Sequence, residues 1–456
     1  MAEFKKFDFK SLEELEVCSQ ELGLDIPFSR DVSALFRPVK IGRLTAPNAI
    51  AVLPMEGCDC RLDGSPDELT TRRYRRFAAG GAGFLWFEAC AVQQGGRANP
   101  RQMFINENTV NDLQKLVDVV HKEADCSVGH RPLCVLQLTH SGRWSRPTDK
   151  SEPVIAQHDP ILDQVVKIDK NYPVFTDEQF DALMSDYVAA ALLAKQAGFD
   201  GVDVKLAHRY LLSELLAAFE REGRYGGSFE NRTRFGLEMI ERIRKLAGDD
   251  FLIGCRLSMY DAHPYPYGWG VDREDFWKMD LTEPLKLVRE LCGKNVDFMN
   301  ASLGNVYYKY PYLTRPFNSD TVGGPNPHEH PLESTARIME ATSAAKKASG
   351  LTARKLVVIG GGYSWLRQFM FHAGAAKIER GQLDLVGMGR MSLAYPDAPE
   401  DLRKNGELNP TKVCVACSKC TQIMRDHGPT GCVVRDHETY APIYKQYREA
   451  AEKGNK

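Results

Sequence analysis

Short apolar runs alternate with longer amphipathic stretches along most of the chain, and this alternation predicts its secondary structure. Short runs rich in Val, Ile, Leu and Phe predict buried strands, whereas an apolar period near 3.6 residues predicts helices. The strands are expected at residues 49–54, 84–92, 133–140, 202–207, 251–258, 297–303, 355–361 and 383–389. The helices are expected at residues 71–79, 111–124, 178–197, 231–246, 283–292, 333–348, 365–380 and 399–404. Eight strands, each followed by a helix, predict an α/β fold of the (β/α)8 TIM-barrel type rather than an open doubly wound sheet.

The barrel pattern does not extend over the whole chain. Residues 1–34 carry few strand signals and are expected to form a helical or irregular N-terminal extension. Residues 35–405 hold the predicted barrel, and residues 406–456 remain as a C-terminal segment. The sequence therefore predicts one large domain with a short segment at each end.

Three long inserts follow predicted strand ends, at residues 141–175, 259–281 and 305–330. The first holds several prolines and is expected to form a hairpin or lid. The other two are rich in aromatic side chains: Tyr260, Tyr265, Tyr267, Trp269, Tyr307, Tyr308, Tyr310 and Tyr312. Barrel active sites are built on the loops that follow the carboxyl ends of the strands. Rings concentrated there favour a flat or cationic substrate, although packing between loops also explains them.

The fourth predicted strand carries polar residues on one of its two faces. Because side chains alternate along a strand, Asp203 and Lys205 share a face and are expected to point into the barrel. His208 and Tyr210 follow at the exit of the strand. A buried lysine is costly unless it is paired or used, which marks these residues as candidate catalytic groups. The alternative is an Asp203–Lys205 ion pair with His208 as a loop hydrogen-bonding residue.

Polar residues and glycines mark the neighbouring strands as well. Gln137 and Arg256 interrupt apolar runs, and a flavin ring, with its donors and acceptors, would satisfy both. The seventh strand runs into the glycines 360–362, and the eighth runs into residues 387–390, which read GMGR. Barrel enzymes commonly bind phosphate on these two loops, where glycine lets backbone N–H groups approach the anion and an arginine adds charge. The G-x-G-x-x-G spacing of a dinucleotide fold is absent.

Four of the 12 cysteines lie within a short stretch near the C-terminus: Cys414, Cys417, Cys420 and Cys432. A C-x2-C-x2-C run lets three thiolates from one loop converge on a metal centre, and the fourth closes the site from another direction. This spacing predicts a 4Fe–4S cluster. A structural zinc site and four unrelated thiols are the alternatives, although zinc ribbons usually pair two C-x2-C knuckles.

Charge and targeting signals narrow the classes of protein further. The 456 residues carry 59 basic and 61 acidic side chains, for a net charge of −2. This balance does not favour nucleic acid or an anionic membrane surface as a partner. No apolar run approaches the ~20 residues that span a bilayer, and the charged N-terminus lacks the apolar region of a signal peptide. We therefore expect a cytoplasmic protein that acts on a small molecule.

The motifs resemble those of the old yellow enzyme (NADH:flavin oxidoreductase) family. They follow the family's order along the chain: Pro54-Met55, 74–83 (YRRFAAGGAG), 136–143 (LQLTHSGR), 198–211 (GFDGVDVKLAHRYL), 224–235 (RYGGSFENRTRF) and 387–390 (GMGR). The C-terminal cysteine run is similar to the cluster site of the branch that contains trimethylamine dehydrogenase and 2,4-dienoyl-CoA reductase.

The resemblance implies non-covalently bound FMN at the mouth of the barrel. The residues that would contact the isoalloxazine are Pro54, Met55, Ala89 and Gln137, with Arg256 near the N1/O2 edge to stabilise anionic reduced flavin. Those that would hold the phosphate are Gly361, Gly362, Gly389 and Arg390.

The resemblance also implies catalytic roles, with three departures from the family pattern. The family binds the substrate carbonyl with a His–His or His–Asn pair, and a tyrosine two residues later delivers a proton. Here Lys205 replaces the first histidine, whereas His208 and Tyr210 keep their positions. Glu56 stands where the family often has Thr or Cys beside the flavin. Arg209 replaces a glycine and is expected to narrow the pocket or to meet an anionic substrate group.

Taken together, the motifs predict an FMN and 4Fe–4S oxidoreductase that reduces a C=C bond conjugated to a carbonyl. The chain ends 24 residues after Cys432, so we expect electrons from a ferredoxin or flavoprotein partner, or directly from NAD(P)H. The alternative is an amine or alcohol dehydrogenase that passes electrons out through the cluster. A third class is an electron-transfer subunit without its own substrate. Barrels of this family often pair, so a homo-oligomer is also expected.

Overall fold

Eight parallel strands close into a barrel, as the sequence predicts. The computed structural model describes residues 4–148, 150–308, 311–353 and 356–454. The barrel strands are Ile50–Val52, Phe84–Ala91, Leu133–Thr139, Gly201–Leu206, Leu252–Tyr260, Phe298–Leu303, Val357–Gly360 and Leu385–Met388. Each strand pairs in parallel with its neighbours in chain order, and the eighth pairs with the first through Val386 and Ile50. The start of the predicted seventh strand, residue 355, lies outside the described residues.

The strands are buried on both faces, which is why they read as continuous apolar runs. Phe84, Trp86 and Phe298 fill the lower interior of the barrel with edge-to-face contacts, their ring centroids 5.1 to 6.0 Å apart. A two-stranded antiparallel hairpin, Val39–Ile41 and Leu44–Ala46, packs Ile41 and Ala46 into the same apolar cluster. The sequence pattern did not predict this hairpin, because its strands are only three residues long.

The eight expected helices are present, with shifted ends and one division. The helices are Leu12–Glu21, Glu68–Ala79, Val110–Ser127, Pro160–Val166, Asp177–Gln196, Leu211–Leu216, Phe229–Ala247, Thr282–Gly293, Ser319–Val322, Pro331–Gly350, Met370–Glu379, Arg390–Ala394, Ala398–Asn405, Lys419–Arg425 and His437–Gly454. The stretch expected as one helix at 365–380 is a 3-10 segment, Tyr363–Phe369, followed by an α-helix, because Arg367 adopts a φ of 48°. The first insert, expected to be a hairpin or lid, contains the helix Pro160–Val166.

Three aspartates at the N-terminal ends of barrel strands repeat one structural pattern. Each carboxylate accepts the backbone N–H of a residue early in the preceding strand: Asp200 from Cys134 at 2.7 Å, Asp297 from Ile253 at 2.9 Å and Asp384 from Val358 at 2.8 Å. Asp200 also lies close to Cys134 and His121, and their potential metal-ligand atoms are within 4.8 Å of one another. The repetition gives Asp200 a structural role in aligning strands at the end of the barrel opposite the candidate site.

The C-terminal segment lies against loops that follow the barrel strands. Asp436 pairs with Arg72 at 2.7 Å and also with Arg76, which ties the segment to the helix Glu68–Ala79. The backbone N–H of Thr430 donates to the carbonyl of Gly57 at 2.6 Å, in the loop after the first barrel strand. In the part of the chain that the structure describes, no helix combines the length and apolar character needed to cross a membrane.

Candidate active site

One open cavity of about 1090 Å³ lies at the carboxyl ends of the barrel strands. Its walls include 11 of the 12 residues predicted for FMN and catalysis: Pro54, Met55, Gln137, Lys205, His208, Tyr210, Arg256, Gly361, Gly362, Gly389 and Arg390. The twelfth, Ala89, does not line it. Ala89 is buried next to an irregularity in strand pairing, and its carbonyl accepts a hydrogen bond from Gln102.

Asp203 lies beneath the cavity and orients two of the predicted flavin contacts. Its carboxylate accepts the side-chain amide N–H of Gln137 at 2.5 Å and the backbone N–H of Arg256 at 2.7 Å. The Trp86 indole donates to the same carboxylate at 3.1 Å. Burial raises the pKa of Asp203 to about 6, although the hydrogen bonds from Gln137 and Arg256 act to lower it. The amide oxygen of Gln137 is thereby left for the cavity, and the buried Nε of Arg256 has no hydrogen-bond partner among the described residues.

The end of the cavity formed by the last two strands is built for an anion. A side chain at Gly389 would enter open space, since the nearest atom to an added Cβ is the Met55 sulfur at 3.8 Å. Arg390 donates through one guanidinium nitrogen to the carbonyl of Pro316 at 2.8 Å, and its buried Nη1 has no partner among the described residues. Arg315 lines the same region, and burial together with the charge of Arg390 lowers the pKa of Arg315 to about 9. Two clustered guanidinium groups match a phosphate.

Lys205 faces the cavity and pairs with Glu56 rather than with Asp203. Its ammonium lies 3.5 Å from a Glu56 carboxylate oxygen and 3.6 Å from the centre of the Tyr210 ring. Burial lowers the pKa of Lys205 to about 8, although the Glu56 charge acts in the opposite direction. The alternative interpretation, an Asp203–Lys205 ion pair, is wrong. Lys205 pairs with Glu56 at the cavity, whereas the Asp203 carboxylate accepts hydrogen bonds from Gln137 and Trp86 beneath it.

Tyr210 is buried among polar and aromatic partners. Its hydroxyl donates to Glu56 Oε1 at 2.8 Å and lies 2.6 Å from the Tyr307 hydroxyl. The Tyr307 ring stacks on Tyr210 and on Trp144, with centroids 5.9 and 4.9 Å apart. Burial and the Glu56 charge raise the pKa of Tyr210 well above its usual value. The phenol is therefore neutral and linked to a carboxylate.

His208 stands beside them as a neutral imidazole. Its Nε2 lies 2.8 Å from the Ser302 hydroxyl, and its backbone N–H donates to the Ser258 hydroxyl at 3.2 Å. Burial, with added repulsion from Arg256 and Lys205, lowers the pKa of His208 well below its usual value. A neutral imidazole can donate or accept one hydrogen bond at the cavity without carrying charge.

The expectation for Arg209 is wrong. Its side chain is fully buried away from the cavity, 3.2 Å from Asp159 and 3.3 Å from Asp261. Although burial acts to raise it, the hydrogen bond from His263 and the charge of Arg209 hold the pKa of Asp159 at about 2. Asp159 and Asp261 belong to different inserts, so Arg209 joins the two inserts instead of meeting substrate.

Glu56 is held in the cavity wall by a buried charged cluster below its loop. The backbone N–H of Gly57 donates to Glu88 at 2.7 Å. Arg73 binds Glu88 at 2.6 Å and Asp59 at 2.9 Å, and all three side chains are almost inaccessible to solvent. Tyr74, the first residue of the 74–83 motif, joins this cluster by donating to the same glutamate.

Most aromatic residues of the inserts do not reach the cavity. Among those the structure describes, Tyr307 lines it, whereas Trp269 donates to the carbonyl of Ser258 at 2.9 Å and packs between loops. Tyr310 lies outside the described residues. The interpretation of these rings as loop packing therefore holds for most of them.

Sequence reasoning missed several cavity residues. Asn300 and Ser302 alternate along the sixth barrel strand, and the same periodicity that indicated Asp203 and Lys205 would have identified them. Arg315 lies in an irregular loop, where the pattern carries no comparable signal.

The four clustered cysteines line a second cavity, of about 340 Å³. Two of their sulfur atoms accept backbone N–H groups: Cys414 from Ala416 at 3.4 Å and Cys432 from Arg435 at 3.3 Å. Burial raises the pKa of Cys420 to about 12 and that of Cys432 to about 11. Cys420 also lines the large cavity, so the two sites share a wall.

Comparison with known proteins shows the family to which this chain belongs. Residues 34–316 match the model of the NADH:flavin oxidoreductase / NADH oxidase family. An N,N-dimethylglycine/sarcosine dehydrogenase of Chromohalobacter salexigens is 25% identical over 407 residues, which are 85% of this chain and 50% of that protein. A cinnamate reductase of Clostridium sporogenes is 24% identical, covering 88% of this chain and 57% of that protein.

The solved structure of a 2-naphthoyl-CoA reductase with 2-naphthoyl-CoA superimposes with a TM-score of 0.68 at 20% identity. The match covers 91% of this chain and 58% of that chain. This likeness supports the fold alone. The chain spans about half the length of the curated relatives it matches.

Proposed function

Because the chain belongs to the NADH:flavin oxidoreductase / NADH oxidase family, an FMN-dependent family, we propose that it reduces a C=C bond conjugated to a carbonyl group. The observation that carries this proposal is the placement of Lys205, His208 and Tyr210 in one cavity with the predicted flavin residues. Two hydrogen-bond donors and a phenol beside a redox cofactor are the groups that such a reduction needs.

The cavity fits FMN on grounds independent of the family. Arg256 and Arg390 both line the cavity, and each leaves a buried guanidinium nitrogen without a partner among the described residues. Gly389 leaves room for a phosphate where a side chain would intrude. When bound, FMN would supply the hydride equivalent for the β-carbon of the substrate.

The side chains of this protein would then handle the oxygen and the proton. Lys205, as a cation below about pH 8, and His208, as a neutral donor, would hold the carbonyl oxygen and stabilise its developing negative charge. Tyr210 would deliver a proton to the α-carbon.

We further propose that the four cysteines bind a 4Fe–4S cluster. They line one cavity, and backbone N–H groups point at two of the sulfur atoms, an arrangement that tunes clusters. A single zinc ion with Zn–S bonds of ~2.3 Å would draw its sulfurs to about 3.8 Å apart. Among the described residues, only the group containing His121 brings three potential ligand atoms within 4.8 Å of one another, so the cysteines are spaced more widely than zinc requires.

The cluster would pass single electrons between the flavin and a donor protein, such as a ferredoxin or flavoprotein. The shared wall at Cys420 supports this route. Direct reduction by NAD(P)H is the other source of electrons.

One observation favours the reverse reaction, the oxidation of an amine. The Glu56 carboxylate lines the same cavity as Tyr210 and Tyr307, and a negative charge together with aromatic rings in one cavity attracts a cation. Because the ammonium of Lys205, 3.5 Å from Glu56, opposes a second cation, amine oxidation ranks below alkene reduction as the second candidate.

Anaerobic flavin spectroscopy distinguishes the candidates. Photoreduced protein is mixed with enones and enoyl thioesters, and oxidised protein is mixed with methylated amines. Reoxidation of the flavin by an enone supports the proposal, whereas bleaching of oxidised flavin by an amine would replace it with the second candidate. Protein that binds FMN and iron but reacts with neither class would instead be an electron-transfer subunit.

A further inference from the structure

The carboxylate of Glu56 occupies a central position in the cavity that the proposed function does not use. One of its oxygens accepts the Tyr210 hydroxyl at 2.8 Å and lies 3.5 Å from the Lys205 ammonium. Its side chain is 12% exposed and lines the cavity. Glu56 thus connects the predicted proton donor with the open space of the cavity.

The hydrogen bonds around Tyr210 have a direction. A phenol has one proton, and here Tyr210 donates it to Glu56, so its oxygen accepts from Tyr307, 2.6 Å away. A hydroxyl that already donates to a carboxylate cannot also donate to a substrate carbanion. Tyr210 can protonate substrate only when the polarity of the pair reverses and Glu56 becomes the donor.

We propose that Glu56 is the group that exchanges protons with Tyr210, and that its carboxylic acid form sets Tyr210 to donate. This inference rests on the proposed function and assigns Glu56 as a positioning residue that acts through Tyr210. It explains why a carboxylate stands beside the flavin site and why the structure holds it so firmly from below.

Protons and electrons balance in the proposed reduction of the alkene. FMN, when bound and reduced, would supply a hydride equivalent (two electrons and a hydrogen nucleus) for the β-carbon, and the π electron pair would move to the α-carbon and carbonyl. The Tyr210 O–H bond breaks as the α-carbon C–H bond forms. The Glu56 O–H bond then breaks as the Tyr210 O–H bond re-forms, and the resulting carboxylate takes a proton from water that enters the cavity.

The surroundings of Glu56 suit a group that changes charge during turnover. The titratable and charged groups that face it are Lys205, Tyr210, Arg256, Tyr307, Cys58 and, below the loop, Glu88. Lys205 and Arg256 stabilise the carboxylate that remains after proton transfer. The hydrogen bond from the Gly57 N–H to Glu88 keeps the loop in place whether Glu56 is protonated or ionised.

The test separates protonation from hydride transfer. A nitroalkene is suitable because its hydride adduct is a nitronate anion that accumulates when protonation is slow. Photoreduced holoenzyme is mixed with it anaerobically, with flavin reoxidation and nitronate decay followed separately from pH 5 to 9. For Glu56→Gln, which keeps the side-chain shape but cannot ionise, we expect flavin reoxidation within about threefold of wild type. Nitronate decay should slow by about tenfold or more and lose its pH dependence.

Glu107→Gln is the matched control, because it makes the same substitution at an exposed glutamate that does not line the cavity. It should protonate the nitronate at the wild-type rate and keep the wild-type pH profile. Protonation by Glu56→Gln with an unchanged rate and pH profile would overturn the proposal. Loss of protonation in Tyr307→Phe alone would assign the exchange to Tyr307 instead.

If no alkene reacts with the protein, the proposed function is refuted. An infrared measurement still tests the coupling between Glu56 and Tyr210 in that case. Spectra of the holoenzyme across the same pH range should contain a carboxyl band that is lost in Glu56→Gln. That band should shift in Tyr210→Phe, because the hydrogen bond from the phenol is gone. A band that Tyr210→Phe leaves unmoved would contradict the coupling between the two residues.

Discussion

Two consecutive residues with a left-handed backbone decide which side chains reach the cavity at the end of the fourth barrel strand. His208 has a φ of 67° and Arg209 a φ of 57°. Such residues cost of order 1–3 kcal/mol each and persist where surrounding contacts hold them. Here the buried ion pairs of Arg209 with Asp159 and Asp261 hold the turn. The turn presents His208 and Tyr210 to the cavity and directs Arg209 away from it.

The charge of Lys205 predicts a pH dependence of ligand binding. Its pKa is lowered to about 8, so the side chain is a cation below that pH and neutral above it. The affinity for the saturated product ketone should therefore fall as the pH rises above about 8, by up to about tenfold per pH unit. The measurement is a titration of the flavin absorbance at several pH values. Lys205→Met should bind weakly with no inflection near pH 8, and an inflection that survives this substitution would assign it to another group.

Gly389 predicts a defect in cofactor binding without a defect in folding. An added Cβ would meet no atom closer than 3.8 Å, so Gly389→Ala should leave thermal stability unchanged. The methyl group would occupy the space assigned to the phosphate, and FMN affinity should fall about tenfold or more. Fluorescence titration of apoprotein with FMN measures the loss. Gly293→Ala, which also meets nothing within 4 Å but lies outside the cavity, should bind FMN normally.

At the level of elements, Arg209 links the inserts after the third and fifth strands, in addition to the direct contact of 2.8 Å between His263 and Asp159. Arg209→Ala would leave the carboxylates of Asp159 and Asp261 buried with one cationic partner fewer. We expect a loss of roughly 3–5 kcal/mol in the free energy of unfolding, measured by urea denaturation. Arg224→Ala removes exposed pairs with Asp181 and Glu238 and should cost at most about 1 kcal/mol. Equal stability of the two variants would contradict a bracing role for Arg209.

The most family-specific motif, residues 224–235, serves structure rather than chemistry. It enters the helix Phe229–Ala247. Arg232 in this helix bonds the Leu216 carbonyl and pairs with Glu283 at 2.7 Å. The motif therefore joins the helices around the fourth and fifth strands and lies outside the cavity walls.

For the molecule as a whole, the large cavity and the cysteine-lined cavity share part of their walls, but each is also lined by residues that the other lacks. Cys420 and Arg390 line both, whereas Cys417 lines only the smaller one. Cys417→Ser should therefore abolish most of the iron, expected at about four atoms per chain, while FMN stays bound. Metal analysis and flavin absorbance measure this. Cys126→Ser, at an exposed thiol, is the control and should keep its iron. Wild-type protein that contains zinc and no iron would refute the cluster.

The sequence by itself determined the barrel and most members of its site. Periodicity identifies parallel strands because they are buried on both faces, and the site lies where barrel strands end, so polar residues such as Gln137, Lys205 and Arg256 could be assigned from their positions alone. Only the tertiary structure decided which side chains the site residues contact. Lys205 pairs with Glu56, Arg209 binds two remote aspartates, and Arg315 enters from an irregular loop. These pairings join residues 50 or more positions apart, and they depend on how loops cross over the barrel, which local patterning does not encode.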